Sequence, residues 1–204
     1  MSAARQEALR MRGWFRTSIA MAILAVAVPA AAQVMPLPLG GGGFKFGDNS
    51  DALPSAAEQN KIDDVQTRLS AGDKPDTVDK NGRTALTYAA MLGNAAMAKL
   101  LIDRGASVKF RDKLGNTPLH WAADRGNSEL VSLLLAAHAP ADDENKQGIT
   151  PLMMAAGRGQ VAVVRLLLKG GADAGKRDFT GQDAAGWAAG KPGVLQALRE
   201  ARPS

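Results

Sequence analysis

Two glycine-rich stretches come close to motifs that bind phosphate groups. Residues 170–177 read Gly-Gly-Ala-Asp-Ala-Gly-Lys-Arg, one residue short of a phosphate-binding loop, with Arg177 where a Ser or Thr would coordinate magnesium. Residues 157–162 imitate a dinucleotide-binding fingerprint. The first stretch is expected to follow a helix rather than a strand, and the second falls at an expected turn between two helices. This context disfavours a nucleotide site at either place, and no cofactor is expected.

The side chains that most often bind metals or act as nucleophiles are scarce. There is no cysteine, which excludes a disulfide, a thiolate metal ligand and a thiol nucleophile. The two histidines, His120 and His138, are well separated in sequence and have no clustered carboxylates near them, so no metal site is expected. Serine-hydrolase, zinc-protease and calcium-loop motifs are also missing from the sequence. These observations predict a protein that is not an enzyme.

Residues 1–32 have the layout of a cleavable secretory signal. Four arginines precede an apolar run over 18–28, Pro29 ends that run, and three alanines stand before Gln33. We predict a cut after Ala32. A short, alanine-rich signal is typical of bacterial export, so the mature protein is expected in the periplasm or outside the cell. The alternative is an uncleaved anchor, although a transmembrane helix needs about 20 apolar residues and this run is shorter.

The basic balance of the chain belongs largely to that segment. The 204 residues carry 25 Lys and Arg against 20 Asp and Glu, a formal charge of +5. Residues 1–32 hold four of the basic residues and one of the acidic ones, which leaves about +2 for the remainder. Aromatic residues, which could stack on bases, make up only 4%. Nucleic acid is therefore not an expected partner, and the mature chain is not expected to insert into a membrane.

From position 79 onwards the chain repeats itself with a constant period. Copies begin at Asp79, Asp112 and Asn145, and a degenerate fourth copy begins at Asp178. Each full copy has glycine at its fourth position, threonine at its sixth, leucine at its eighth, and then an Ala-Ala pair. The second half repeats as well, with a Leu-Leu pair at 100–101, 133–134 and 166–167. This register predicts similar units that bury their apolar faces by stacking.

These residues resemble the ankyrin repeat, whose pattern is Asp-x-x-Gly-x-Thr-Pro-Leu-His-x-Ala-Ala-x-x-Gly-His, followed by Val-x-x-Leu-Leu-x-x-Gly-Ala. The resemblance covers roughly residues 53–204 and is most specific in the copies that begin at Asp112 and Asn145. It implies an all-α solenoid in which each unit contributes two antiparallel helices and a hairpin-like finger loop.

The predicted organisation follows from the signal, the repeat and the segment between them. That segment contains two prolines and five glycines without periodicity, so it is expected to be flexible. The predicted segments are a signal peptide (1–32), a flexible linker (33–52) and an ankyrin-repeat domain (53–204), which comprises an N-terminal cap unit (53–78), three full repeats (79–111, 112–144, 145–177) and a C-terminal cap unit (178–204).

Single residues support this architecture. The threonine at the sixth position can cap the first helix of each full unit, and glycine can make the turn to the second helix. His120, beside Thr117, is expected to orient backbone and hydroxyl groups between units. His138 takes the place of a turn glycine and is expected to be left-handed. Large side chains that share one position predict packing between units in preference to a ligand cage: Tyr88, Trp121, Met154 and Trp187.

The resemblance implies a monomeric module that binds a protein partner through its finger tips and the concave face of its first helices. Two alternatives stay open: a membrane-tethered scaffold retained by an uncleaved signal, and a nucleotide-binding envelope protein. The positions expected to contact the partner are Lys80, Asn81, Arg83, Met91, Leu92, Arg111, Lys113, Leu114, Asn116, Asp124, Arg125, Glu144, Lys146, Gln147, Ile149, Arg158 and Arg177.

Overall fold

The computed structural model describes residues 51–201, a part of the chain that contains ten α-helices and no β-strand. The predicted all-α fold class is thereby confirmed. The predicted signal peptide and nearly all of the predicted linker lie outside the described residues. In chain order the helices are α1 (Ala52–Glu58), α2 (Ile62–Ser70), α3 (Ala85–Leu92), α4 (Ala95–Asp103), α5 (Pro118–Arg125), α6 (Ser128–Ala136), α7 (Pro151–Arg158), α8 (Val161–Lys169), α9 (Ala184–Trp187) and α10 (Pro192–Glu200).

Each full repeat folds as a first helix, a tight turn and a second helix. In the first full repeat, the Thr84 hydroxyl caps α3 by accepting a hydrogen bond from the Thr87 N–H at 3.2 Å. Gly93 ends α3 with φ 74°, and the Asn94 side chain caps α4 by accepting from the Met97 N–H at 2.9 Å. Because φ is positive at the turn, a side chain there would be strained, and glycine is strongly favoured.

The helices form two layers. The first helices α1, α3, α5, α7 and α9 contact one another in succession, and the second helices α4, α6, α8 and α10 do the same. Ala89 and Ala90 of α3 are completely buried, which lets neighbouring first helices approach closely. Leu101, Leu134 and Leu167 of the second helices are also completely buried. Each contributes about 1.5–3 kcal/mol of hydrophobic stabilisation, and it does so only because adjacent units stack.

The fingers are short hairpin-like turns joined to one another through the backbone. In the second full repeat, the Asp112 N–H donates to the Asn116 carbonyl at 3.0 Å, and the Gly115 N–H donates back to the Asp112 carbonyl at 2.8 Å. The Lys113 N–H donates to the carbonyl of Asn81 in the preceding finger at 3.0 Å, and the equivalent bond recurs at each later pair of fingers. The finger backbones therefore keep a fixed spacing along the stack.

The N-terminal end of the domain consists of helices α1 and α2. Helix α1 begins at Ala52, one residue inside the predicted linker, and its Ala56 and Ala57 are buried. In α2, Val65 is completely buried, whereas Asp63 is exposed to solvent. Among residues 51–201, no helix is both long enough and apolar enough to cross a bilayer.

Candidate functional site

A carboxylate at the base of the finger fixes the conformation of that finger. In the second full repeat, Asp112 Oδ1 accepts hydrogen bonds from the Leu114 and Asn116 N–H groups, each at 2.9 Å. The other oxygen, Asp112 Oδ2, accepts from the Trp121 indole Nε1–H at 3.1 Å. One buried side chain therefore holds the turn and ties it to the first helix of the same repeat.

The same arrangement occurs in the first full repeat and in the C-terminal cap unit. Asp79 Oδ2 accepts from the Tyr88 hydroxyl at 2.7 Å, and Asp178 Oδ2 accepts from the Trp187 indole at 2.9 Å. Burial works to raise the pKa of Asp79, but hydrogen bonds from the Arg83 N–H and the Tyr88 hydroxyl outweigh it and lower the pKa on balance. The aromatic side chains pack against the core, as predicted, and also anchor the fingers.

The third full repeat uses a different pair at the same two positions. Asn145 replaces the aspartate, Met154 replaces the aromatic residue, and Asn145 Nδ2 donates across to Asn116 Oδ1 in the preceding finger at 2.9 Å. Asn116 is only 3% exposed. The expectation that its side chain faces a partner is therefore wrong: this amide is used to join two repeats.

His120 links two repeats through both ring nitrogens. The Thr117 N–H donates to His120 Nδ1 at 3.1 Å, so Nδ1 accepts and the proton is on Nε2, which lies 3.0 Å from the Ile149 carbonyl. Burial lowers the pKa of His120 to about 4, although the hydrogen bond to Ile149 works in the opposite direction. Ile149 is itself buried at 9% exposure. Its predicted contact with a partner is also corrected.

Arg83 lies between two aromatic rings of successive repeats. Its guanidinium carbon is 5.8 Å from the centre of the Tyr88 ring and 5.6 Å from the centre of the Trp121 ring. Both distances are within the range of cation–π attraction. The side chain is half-buried, and its Nε has no hydrogen-bond partner among the described residues. Arg83 is thus packed between units and presents only part of its surface.

Two charged residues that the sequence assigned to the binding surface, Arg111 and Glu144, form ion pairs with residues outside that set. Arg111 Nη2 lies 2.9 Å from Asp143 Oδ1, and its Nη1 donates to the Glu144 carbonyl. The Glu144 carboxylate lies 2.7 Å from Lys176 Nζ, and this hydrogen bond raises the pKa of Lys176. Lys176 is the lysine of the stretch that resembles a phosphate loop. In this structure its ammonium group already has an anionic partner.

A second paired group lies on the ends of the first helices. Arg158 binds the Asp124 carboxylate with two hydrogen bonds, at 2.6 and 3.3 Å. This pair borders a shallow cleft of about 350 Å³ that is also lined by Met154, Gly157 and Trp187. Gly157 has no room for a side chain, because a methyl group there would come within 2.9 Å of the Trp187 ring.

The other predicted contact residues are mainly exposed. Asn81 and Met91 are half-buried, and the Asn81 amide donates to Asp79 Oδ2 at 3.1 Å. Leu92 and Leu114 are 50% and 57% exposed, which is unusual for leucine in this domain. The remaining exposed members are Lys80, Lys113, Arg125, Lys146, Gln147 and Arg177.

Phe179 is a surface residue that the sequence reasoning missed. It is 77% exposed and stands in the C-terminal cap unit at the finger position that Lys80, Lys113 and Lys146 occupy in the full repeats. Beside it is an open cleft of about 420 Å³ whose lining includes Trp187. Aligning the fourth copy with the others could have found Phe179, because a large apolar residue at a finger position has no core to fill.

The exposed members of the predicted contact set are spread along the stack of repeats. Within the range 51–201, no group of three or more His, Asp and Glu side chains could hold a metal ion. The predicted contact residues that are exposed lie on consecutive fingers and first helices. The arrangement can make many contacts along one surface.

Comparison with known families agrees with the geometry. The family model for ankyrin repeats, in three copies, matches residues 53–143 and 122–203. Together these two ranges cover most of the chain, including all the units described above. No curated protein matches the chain.

Proposed function

Because the chain belongs to the ankyrin-repeat family, whose repeats generally mediate protein–protein interaction, we propose that it is a non-enzymatic module that binds a protein partner. The family is typically non-enzymatic. The observation that carries the proposal is that the base and the tip of each finger have different roles. Its base is fixed by buried hydrogen bonds, such as those of Asp112, while its tip presents exposed side chains, such as Lys113 and Leu114.

A surface of this kind binds with little loss of conformational entropy. From the second finger onwards, the backbone of each tip is already held by a hydrogen bond to the preceding finger, so little of it has to be ordered on association. Exposed Leu92 and Leu114 would provide apolar contact area, which contributes most to affinity when it is fully desolvated. The lysines around them would mainly raise the association rate. Affinity and rate are thus assigned to different side chains of one surface.

Crosslinking of the partner in its native compartment tests this function. The full chain is expressed in its source cells, crosslinked, and compared with the variant Leu114→Asp. The matched control is Ser132→Asp, which adds the same charge at an exposed position of α6, away from the fingers. Loss of the crosslinked protein in Leu114→Asp alone, with both variants equally folded by circular dichroism, supports the proposal. An unchanged crosslinking pattern in Leu114→Asp rejects it.

We also propose that the protein works in the periplasm or outside the cell as a monomer. Support comes from the amino-terminal sequence, with its arginines, apolar run and alanines before Gln33. Mass spectrometry of the protein from its source cells gives the mature amino terminus. A chain that begins at Gln33 supports export, and a chain that retains residues 1–32 in the membrane fraction supports a tethered scaffold instead. Sedimentation analysis of the mature protein tests whether it is a monomer.

Nucleotide binding is the less supported alternative. Lys176 would have to leave Glu144, from which it is 2.7 Å away, before it could bind a phosphate. Isothermal titration of the full chain with ATP and magnesium separates the two functions. Saturable binding that disappears in Lys176→Ala would support a nucleotide-binding protein, and no heat of binding is expected from a protein-binding module.

A further inference from the structure

One position of the finger forms a row of side chains along the stack. The second residue of each finger belongs to this row, so successive members are one full repeat apart in sequence. The members are Lys80, Lys113, Lys146 and Phe179. We call these four residues the finger row. All four are exposed, and Phe179 is 77% exposed. The row therefore presents three cations and then an aromatic ring.

The backbone of the row is held in place by the fingers themselves. The N–H groups of Lys113 and Lys146 donate to the carbonyls of Asn81 and Leu114 at 3.0 and 3.1 Å, and the Phe179 N–H makes the equivalent bond at 3.1 Å. These bonds fix each member of the row relative to the preceding finger. The spacing of the row is consequently the spacing of the stacked units.

The lysines of the row have no ion-pair partner among the described residues, whereas the nearby carboxylates are occupied. Asp112 and Asp178 are 5% and 7% exposed and accept hydrogen bonds within their own fingers. Glu144 pairs with Lys176, as described above. The charge that the tips leave exposed along the row is therefore positive, and a complementary surface is acidic.

The spacing of the lysines in the row indicates that the acidic surface is an extended chain. Packed helices lie about 8–10 Å apart, so we expect the backbones of neighbouring lysines in the row to be about that far apart. An extended chain advances about 3.3 Å per residue, so three residues cover about 10 Å. An extended segment with an acidic residue at every third position places one carboxylate near each lysine. The next step along the row brings an apolar side chain to Phe179 and to the cleft of about 420 Å³ beside it.

We propose that the finger row binds an extended acidic segment of the partner protein, with carboxylates at every third position and an apolar residue at the end nearest Phe179. This inference rests on the proposed function and names the chemistry of the partner. It differs from general attraction to polyanions because it requires both the spacing and the apolar end.

The test uses labelled synthetic peptides and the full chain, with binding followed by fluorescence anisotropy at low salt. The probe has three glutamates, each separated by two serines, and a leucine three positions beyond the last glutamate; a second probe has the reverse order. One comparison peptide has the same composition with adjacent glutamates, and another replaces leucine with serine. We expect one of the two spaced probes to bind more tightly than both comparison peptides.

Variants assign the binding to the row. Lys113→Glu should weaken binding of the spaced probe about five- to tenfold, because it replaces an attraction with a repulsion. Lys169→Glu, which changes an exposed lysine on α8, is the matched control and should have little effect. Phe179→Ala should weaken binding of the spaced probe, which contains leucine. It should leave binding of the comparison peptide with serine in place of leucine unchanged. Circular dichroism of each variant checks that the repeats remain folded.

Three results would overturn the inference. The first is equal affinity for the spaced probes and for the peptide with adjacent glutamates. The second is tighter binding of a single-stranded oligonucleotide than of either spaced probe. The third is an unchanged affinity of Lys113→Glu for the spaced probe. If the probes fail while the crosslinked partner is still lost in Leu114→Asp, the acidic segment is rejected and the protein-binding function stands. If the crosslinked partner is also unaffected, both are rejected.

Discussion

The indole Nε1–H of Trp121 donates to Asp112 Oδ2 at 3.1 Å, so a residue on a first helix holds the base of the finger that precedes it. The third full repeat has Asn145 and Met154 at these two positions. The methionine side chain has no N–H donor, and the asparagine amide instead donates to Asn116 Oδ1 at 2.9 Å. The residues at the two positions therefore match. An aspartate at the base of the finger occurs with a hydrogen-bond donor on the first helix, and an asparagine occurs with a methionine, whose side chain has no donor.

This matching predicts an energetic coupling between Asp112 and Trp121. Asp112→Asn can turn an amide N–H₂ towards the indole N–H, so we expect a loss of about 1–2 kcal/mol in the free energy of unfolding. In a Trp121→Met background, which reproduces the methionine of the third repeat, the same change should cost about 1 kcal/mol less. Urea unfolding of the two single variants and the double variant measures the coupling. Additive effects would contradict the proposed role of the hydrogen bond.

Burial of His120 predicts a loss of stability in mild acid. Its pKa is lowered to about 4 in the folded protein, from an ordinary value of 6.5. The unfolded chain therefore takes up a proton first, and stability that is fully present above about pH 6.5 is lost as the pH falls towards 4. At 1.36 kcal/mol per pH unit, about 2 kcal/mol should be lost between about pH 7 and pH 5.

Urea unfolding across that range checks the histidine effect. His120→Gln should be less stable at neutral pH but should show a flatter dependence on pH. Asp79 and Asp178 have lowered pKa values, so their protonation affects stability only in more acidic solution. An unchanged slope in His120→Gln would assign the effect to other groups.

His138 carries the left-handed conformation that its sequence position predicts. Its φ is 61°, and the equivalent turn residues Gly105 and Gly171 have φ 87° and 93°. Left-handed backbone costs a residue with a Cβ about 1–2 kcal/mol, part of which is offset by the greater flexibility of glycine in the unfolded chain. His138→Gly should therefore raise the free energy of unfolding by about 0.5–1 kcal/mol. His138→Ala, which keeps the Cβ, is the control and should give no such gain.

The sequence predicted the parts of this fold that depend on local conformation. Thr84 caps α3, Gly93 makes the turn after it, and His138 is left-handed, each for a reason that operates between near neighbours in the chain. The binding surface was predicted less well because burial of its residues depends on the neighbouring unit. Asn116 is covered through Asn145 of the next finger, and no periodic pattern in the first unit shows that contact.

The ion pairs between fingers likewise could not be predicted from the sequence. Arg111 and Asp143 are 2.9 Å apart although they belong to successive fingers, and only the stacking geometry brings them together. Lys113, close to Arg111 in sequence, makes no ion pair among the described residues. Two neighbouring basic residues of similar appearance in the sequence thus have different roles, one between fingers and one at the surface.

Stacking of the fingers predicts that the same substitution has different costs in different units. Gly115 and Gly181 occupy the same finger position, with φ 83° and 84°, so an alanine is equally strained by the backbone at both. A Cβ at Gly115 would come within 2.8 Å of the Lys146 amide nitrogen, whereas at Gly181 nothing lies within 4 Å. Gly115→Ala must therefore also displace the next finger, which should add about 1–3 kcal/mol to its cost.

Thermal or urea unfolding of the two alanine variants measures this difference directly. Gly181→Ala should lower the free energy of unfolding by about 1 kcal/mol or less, because only the left-handed backbone is affected. Gly115→Ala should be clearly less stable, and its amide exchange at Lys146 should be faster because the hydrogen bond to the Leu114 carbonyl is disturbed. Equal losses in the two variants would mean that the contact between consecutive fingers contributes nothing to the stability of the stack.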